Sequence, residues 1–139
     1  MMSEVEIAET IARIAHYGQV VKSTGEDFIM HPQAVAEMLP MHLKPAGWLH
    51  DVIEDEPFFS PGRLLAAGIH PRTIDIVVAV SRQAQESYDD FIRRVISTRD
   101  RNIIRVKHAD MTHNRRAGCP PKLMERYDMY YPLLCEALR

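Results

Sequence analysis

The run His50-Asp51-Val52-Ile53-Glu54-Asp55 concentrates an imidazole and three carboxylates in six residues. If the run is helical, at about 100° per residue, these four groups share an arc of about 140°, while Leu49, Val52 and Ile53 point the other way. Three carboxylates held that close repel one another and raise at least one carboxyl pKa unless a cation sits among them. The apolar opposite face places the cluster in a wall of the core. Two distant segments offer further ligands: His31, and Asp110 within Val106-Lys107-His108-Ala109-Asp110-Met111-Thr112-His113-Asn114. Asp110 and Asn114 are four apart, so one helix face would carry a carboxylate ligand and an amide able to donate to a phosphate oxygen or orient water. Two imidazoles and two carboxylates with open positions suit Mn²⁺, Fe²⁺, Co²⁺ or Zn²⁺ better than Ca²⁺ or Mg²⁺, which prefer oxygen alone.

The elements that must position these groups read as helices throughout. Apolar residues from Val5 to Ala15 recur at three- and four-residue steps after a Ser3 cap with Glu6 three residues on. Lys22 to Asp27 has loop chemistry, and Pro32 suits the first turn of a helix running to about Leu39, with His31 at its start. Ala46 to Asp55 is expected to form one helix, stopped before Pro57. Ser60-Pro61 opens a short helix ending near Gly68, and Pro71 opens another. The β-branched stretch Ile74 to Val80 would also suit a strand, but no partner with period-two alternation exists elsewhere. Helices over Ser87–Ser97, Asp100–Asn114 and about Lys122–Leu138 complete an all-α expectation, with Pro132 a candidate kink.

Composition narrows the function classes. The 139 residues are enough for one domain over 1–139 with its own core, and 46% hydrophobic with 26% charged residues is ordinary globular composition. The 17 basic residues are dispersed and the formal net charge is -2, which argues against broad nucleic-acid binding. No stretch approaches the roughly 20 apolar residues of a membrane span, and Met1-Met2-Ser3-Glu4 lacks a basic signal-peptide start. Cys119 and Cys135 form no CxxC pair or metal-spaced cluster. Together these features suggest a cytoplasmic protein with reduced thiols.

Four segments resemble the HD superfamily, and within it the hydrolase domain of the RelA/SpoT alarmone enzymes and their small stand-alone homologues. They are Ala15-His16-Tyr17-Gly18-Gln19, Phe28-Ile29-Met30-His31-Pro32-Gln33-Ala34-Val35-Ala36, Leu49 to Asp55, and Val106 to Asp110 leading to His113-Asn114. Glu86-Ser87-Tyr88-Asp89-Asp90-Phe91 also resembles a stretch of the small members. The resemblance implies an all-α HD-domain helical bundle in which His31, His50, Asp51 and Asp110 bind one divalent ion, usually Mn²⁺. It implies that Glu54 and Asp55 position and activate the attacking water, and that Asn114 lies near the bound nucleotide. The implied reaction removes the 3′-pyrophosphate of (p)ppGpp, with the ion polarising phosphoryl oxygens and acidifying a coordinated water. A nucleotidase acting on nucleoside monophosphates and a non-catalytic nucleotide sensor are the alternatives.

Two departures from the family pattern stand out. Val21-Lys22-Ser23-Thr24-Gly25 replaces an Arg-Lys-Ser-Gly run, so Lys22, a candidate substrate contact, stands where a planar guanidinium is expected. His108 replaces a leucine before Ala109-Asp110, and the connection from His31 to His50 is shorter than in the long enzymes. Outside the motifs, His16 is read as a hydrogen-bonded structural histidine and His42 and His70 as solvated. His108 and His113 stay open between packing and substrate roles. Arg82 is a possible phosphate contact, and the Met and Tyr residues of the last helix are read as core.

Overall fold

Polar caps and prolines set where most helices begin. Ser3 accepts from the Glu6 N–H at 3.3 Å while the Glu6 carboxylate accepts from the Ser3 N–H at 3.1 Å, which starts α1 (Glu4–Ala15). Ser60 caps α5 (Pro61–Ala67), which Gly68 ends at φ +105°, a conformation that glycine adopts without steric cost. His70 accepts from the Arg72 N–H to start α6 (Pro71–Ala79). Ser87 caps α7 (Tyr88–Ser97) and Asp100 caps α8 (Arg101–Asn114). Between α1 and α5 lie α2 (Met30–Glu37), a 3₁₀ turn (Met41–Leu43), α3 (Lys44–Leu49) and α4 (Val52–Asp55), and α9 (Pro121–Ala137) follows α8, running through Pro132.

The computed structural model describes residues 1–139 and contains no β-strand, only an isolated bridge between Val20 and Asp27 that closes the loop after α1. The β-branched stretch after Pro71 is helical: Ile74, Ile76 and Val77 are buried whereas Val78 is 45% exposed, a one-sided pattern that a helix packed on one face produces. The cores of α1, α2, α3, α6, α7 and α8 join in one cluster of 27 buried apolar residues. At its centre is α3, whose residues Pro45 to Leu49 are all buried and which packs on α1, α2, α6 and α8.

Close approach of α3 to α2 rests on Gly47. A Cβ there would lie 2.8 Å from Ala36 Cα and 3.0 Å from Leu39 Cδ1. Gly47→Ala should therefore force the two helices apart and destabilise the protein by about 1–3 kcal/mol. A urea melt that matched wild type would refute this tight packing.

The expected single helix from Ala46 to Asp55 is in fact two. It breaks at His50-Asp51, where Asp51 adopts φ −104° and ψ −4°. The Gly47 carbonyl, which a continuing helix would offer to the Asp51 N–H, instead accepts from His50 Nδ1 at 2.7 Å. The break divides the charged run. His50 and Asp51 turn toward α2 and α8, while Glu54 and Asp55 sit on the following turn and face other neighbours.

Candidate metal centre

Three helical segments converge on one point. The first turn of α2 supplies His31, the break between α3 and α4 supplies His50 and Asp51, and the inner face of α8 supplies Asp110. One ligand atom from each of these four residues lies within 4.8 Å of all the others. His31 Nε2 is 3.1 Å from His50 Nε2, 2.8 Å from Asp110 Oδ1 and 3.6 Å from Asp51 Oδ2. His50 Nε2 is 3.1 Å from Asp51 Oδ2 and 3.2 Å from Asp110 Oδ1. Donors about 2.1 Å from a common ion and at right angles to each other stand about 3 Å apart, so this spacing fits a coordination sphere. Because His50 Nδ1 donates to the Gly47 carbonyl, its Nε2 is the nitrogen turned to the cluster, as a metal ligand requires.

The electrostatics of the pocket call for positive charge. Burial opposes ionisation of both Asp51 and Asp110, yet His50 holds Asp51 below its usual range, and Lys107 with His50 holds Asp110 well below it. Burial likewise pushes His50 down, but Asp51 and Asp110 outweigh it and leave the imidazole well above its ordinary value. Lys107, itself buried, contacts Asp110 Oδ2 at 2.7 Å, and although burial works to lower its pKa, that carboxylate raises it. Asn114 Nδ2 donates to Asp110 Oδ1 at 3.1 Å, so the asparagine and the carboxylate do share one face of α8.

Glu54 and Asp55 are the carboxyls with raised pKa values. Burial is the main cause for Glu54, partly offset by the Arg82 backbone N–H that it accepts from. The segment presenting that N–H is anchored by Arg94, which donates to the Ala79 carbonyl at 2.9 Å, the Ser81 carbonyl at 3.0 Å and the Glu86 carboxylate at 2.7 Å. Asp55 is pushed up to about 7 by burial, then by the nearby Asp51 and Glu54 charges. A carboxyl raised from 3.8 binds more protons in the folded than in the unfolded state between those values, so it lowers stability as pH climbs through that window. Asp55→Asn should therefore raise the melting temperature of the metal-free protein at neutral pH and leave it nearly unchanged near the unfolded pKa of about 4. A pH-independent difference between the two proteins would contradict this assignment.

Two cavities flank the cluster and share Phe28, His31, Asn114 and Tyr127 in their walls. One, of about 230 Å³, is also lined by Lys22, Ser23, Thr24, Arg116 and Leu123. The other, of about 180 Å³, is also lined by Asp51, Glu54, Arg82, Tyr88 and Lys107. Lys22 is thus brought beside the cluster but on the side away from Glu54. Lys107, Arg116 and Tyr127 escaped the reading of the sequence. Lys107 lies one helical turn before Asp110, which is a legible signal, whereas nothing local marks Tyr127.

The remaining histidines separate. His16 is buried, with Nδ1 3.1 Å from Gln19 Oε1 and 3.9 Å from Asp55 Oδ2, and its Nε2 has no protein partner. His108 faces α9, with its ring against Tyr131 and Nε2 3.5 Å from Cys135 Sγ. His113 joins the back of the cluster at His31. His42 and His70 are exposed. The reading of α9 as core needs correction: only Leu134 is fully buried there, Met129 is 63% exposed, and Tyr130 and Tyr131 are half-buried and bond Asp89 and Thr112. The helix lies on the rim of the bundle and lends one face to the site. No helix is long and apolar enough to cross a membrane.

An all-α bundle with a His/His/Asp/Asp cluster drawn from three segments, the central pair being an adjacent His-Asp, defines an HD-type domain. No family model matches the chain. Comparison with curated proteins does find relatives. The chain is 39% identical over 120 residues to a guanosine-3′,5′-bis(diphosphate) 3′-pyrophosphohydrolase of Haemophilus influenzae, covering 76% of this chain and 17% of that protein. It is 36% identical over 125 residues to the bifunctional (p)ppGpp synthase/hydrolase SpoT of Escherichia coli K12, covering 78% of this chain and 17% of the relative. It is also 34% identical over 116 residues to a GTP pyrophosphokinase of Myxococcus xanthus, covering 73% of this chain and 15% of the relative. The chain belongs to the HD-domain RelA/SpoT family. It spans about one sixth of the length of the curated relatives it matches.

Proposed function

We propose that this protein is a metal-dependent phosphohydrolase of a phosphorylated nucleotide, acting as a (p)ppGpp 3′-pyrophosphohydrolase. The observation that carries the reading is the convergence of four ligand atoms within 4.8 Å beside two carboxyls of raised pKa, set between two cavities. His31, His50, Asp51 and Asp110 would hold one divalent ion; the mixed nitrogen and oxygen donors suit Mn²⁺, Fe²⁺, Co²⁺ or Zn²⁺, and the resemblance to the alarmone hydrolases favours Mn²⁺ among them. Such an ion, when bound, polarises phosphoryl oxygens and acidifies water.

The protein's own residues supply the rest. Glu54, steadied by the Arg82 N–H and lining the cavity beside Asp51, would orient a water and accept its proton, with Asp55 next to it in the chain as its partner, and burial raises the proton affinity of both. Lys107 and Arg82 bring positive charge to the cavity that contains Glu54, where a departing pyrophosphate would need it. Asn114 lines both cavities and suits the contact that orients the ribose-phosphate portion. The cavity holding Lys22 would take the base, between Phe28, Tyr127 and Leu123.

A second reading, hydrolysis of nucleoside monophosphates, draws support from Lys22, because a lysine there lacks the guanidinium plane that stacks on a purine. Incubating purified protein and Mn²⁺ with ppGpp, and separately with nucleoside monophosphates, distinguishes the two. Pyrophosphate release from ppGpp is the expected result. Orthophosphate from the monophosphates alone would support the second reading, and nucleotide binding with no turnover of either would leave a sensor.

A further inference from the structure

A line of hydrogen bonds runs outward from the back of His31. His31 Nδ1 and His113 Nδ1 are 2.8 Å apart, and the two rings are within 24° of parallel with centroids 5.0 Å apart. Those values put the rings side by side, so the nitrogens meet edge to edge along a hydrogen-bond direction. Arg116 Nη1 lies 3.2 Å from the same His113 Nδ1 and 3.1 Å from the His113 carbonyl, and Arg116 Nη2 is paired with the Glu26 carboxylate.

A guanidinium only donates. Its positive charge, 3.2 Å from His113 Nδ1, disfavours a hydrogen on that nitrogen, so the hydrogen shared with His31 is assigned to His31 Nδ1. That leaves His31 Nε2 as the lone-pair nitrogen, and it is the atom aimed at His50 Nε2 and Asp110 Oδ1. We infer that Arg116 and His113 are positioning residues that set the tautomer and ring direction of the metal ligand His31, with Glu26 holding the guanidinium in place. The inference rests on the metal-centre reading above. It gives His31 the counterpart of what the Gly47 carbonyl does for His50, using an acceptor that is itself oriented by charge. It also ties the metal centre to the wall of the cavity holding Lys22, because Arg116 belongs to both.

Mn²⁺ titration of the purified protein without nucleotide, read by the electron paramagnetic resonance of the free ion, tests the inference apart from any pocket role of Arg116. His113→Leu removes the acceptor and should weaken Mn²⁺ binding about 10–100-fold. His113→Asn can place an amide oxygen near the position of Nδ1 and should recover to within about threefold of wild type. Arg116→Met should also weaken binding, and Arg116→Lys, which keeps a donor, should weaken it less. Thermal melts of each variant establish that the fold is retained. Wild-type affinity in His113→Leu, or an Asn variant as weak as the Leu variant, would overturn the proposal. Failure of the wild-type protein itself to bind Mn²⁺ would instead remove the metal-centre reading, and this inference with it.

Discussion

Asp110→Ala should abolish metal retention and destabilise the fold by about 3–5 kcal/mol, the cost of leaving one partner of a buried ion pair alone. Asp110 and Lys107 are 5% and 6% exposed, and Lys107 Nζ has the rings of Phe91 and Tyr88 around it at 4.7 and 5.8 Å. Without the carboxylate, an ammonium is left in an apolar setting, Asn114 loses its acceptor, and His31 and His50 lose the carboxylate that would share the ion with them. The folded Asp110 pKa is depressed, so its stabilisation is present above the unfolded value and fades as pH falls through the folded one. The double variant Lys107→Met with Asp110→Leu separates the two losses. It should regain much of the stability, since an apolar pair replaces a buried charge pair, but none of the metal. Urea midpoints and elemental analysis of the three proteins provide the check, and an Asp110→Ala protein that kept its metal would refute the ligand assignment.

Glu54→Gln should leave the protein folded and the ion bound but reduce turnover about 10²–10⁴-fold, the range general-base catalysis contributes. The amide oxygen of the substituted side chain can still accept from the Arg82 N–H, so the loop that Arg94 anchors keeps its place. What the substitution removes is the proton acceptor. A loss confined to kcat with Mn²⁺ affinity unchanged is the expected signature. Retention of full activity would show that Asp55, or another group, handles the water alone. Equal loss of metal and activity would move Glu54 into the ligand set.

Much of the architecture can be read locally. The capping box at Ser3 and Glu6, Pro71 after His70, and Ser87 and Asp100 ahead of amphipathic runs mark helix starts through short-range hydrogen bonds and fixed backbone angles. The candidate metal cluster was legible for a different reason: the crowded charge from His50 to Asp55 asks for a cation, and the resemblance to the HD superfamily singles out His31, His50, Asp51 and Asp110 as its ligands. The sequence also implied helix for Ile74 to Val80 through the absence of a partner strand.

Other features depend on contacts that no local pattern encodes. The break at His50-Asp51 arises because a side chain takes the Gly47 carbonyl, and helical periodicity is blind to that competition. Tyr127 reaches the site because α9 packs back along α8, a decision of the whole bundle. The line from Glu26 through Arg116 and His113 to His31 begins with a pair 90 residues apart in the chain and exists only when two loops and two helices meet. Sequence by itself determined where most helices start and which side chains could hold an ion, because those follow from short-range geometry and from residue type. Tertiary structure alone decided which nitrogen of each imidazole faces the candidate metal centre and where the cavities lie, because both depend on hydrogen bonds and packing beyond the reach of helical periodicity.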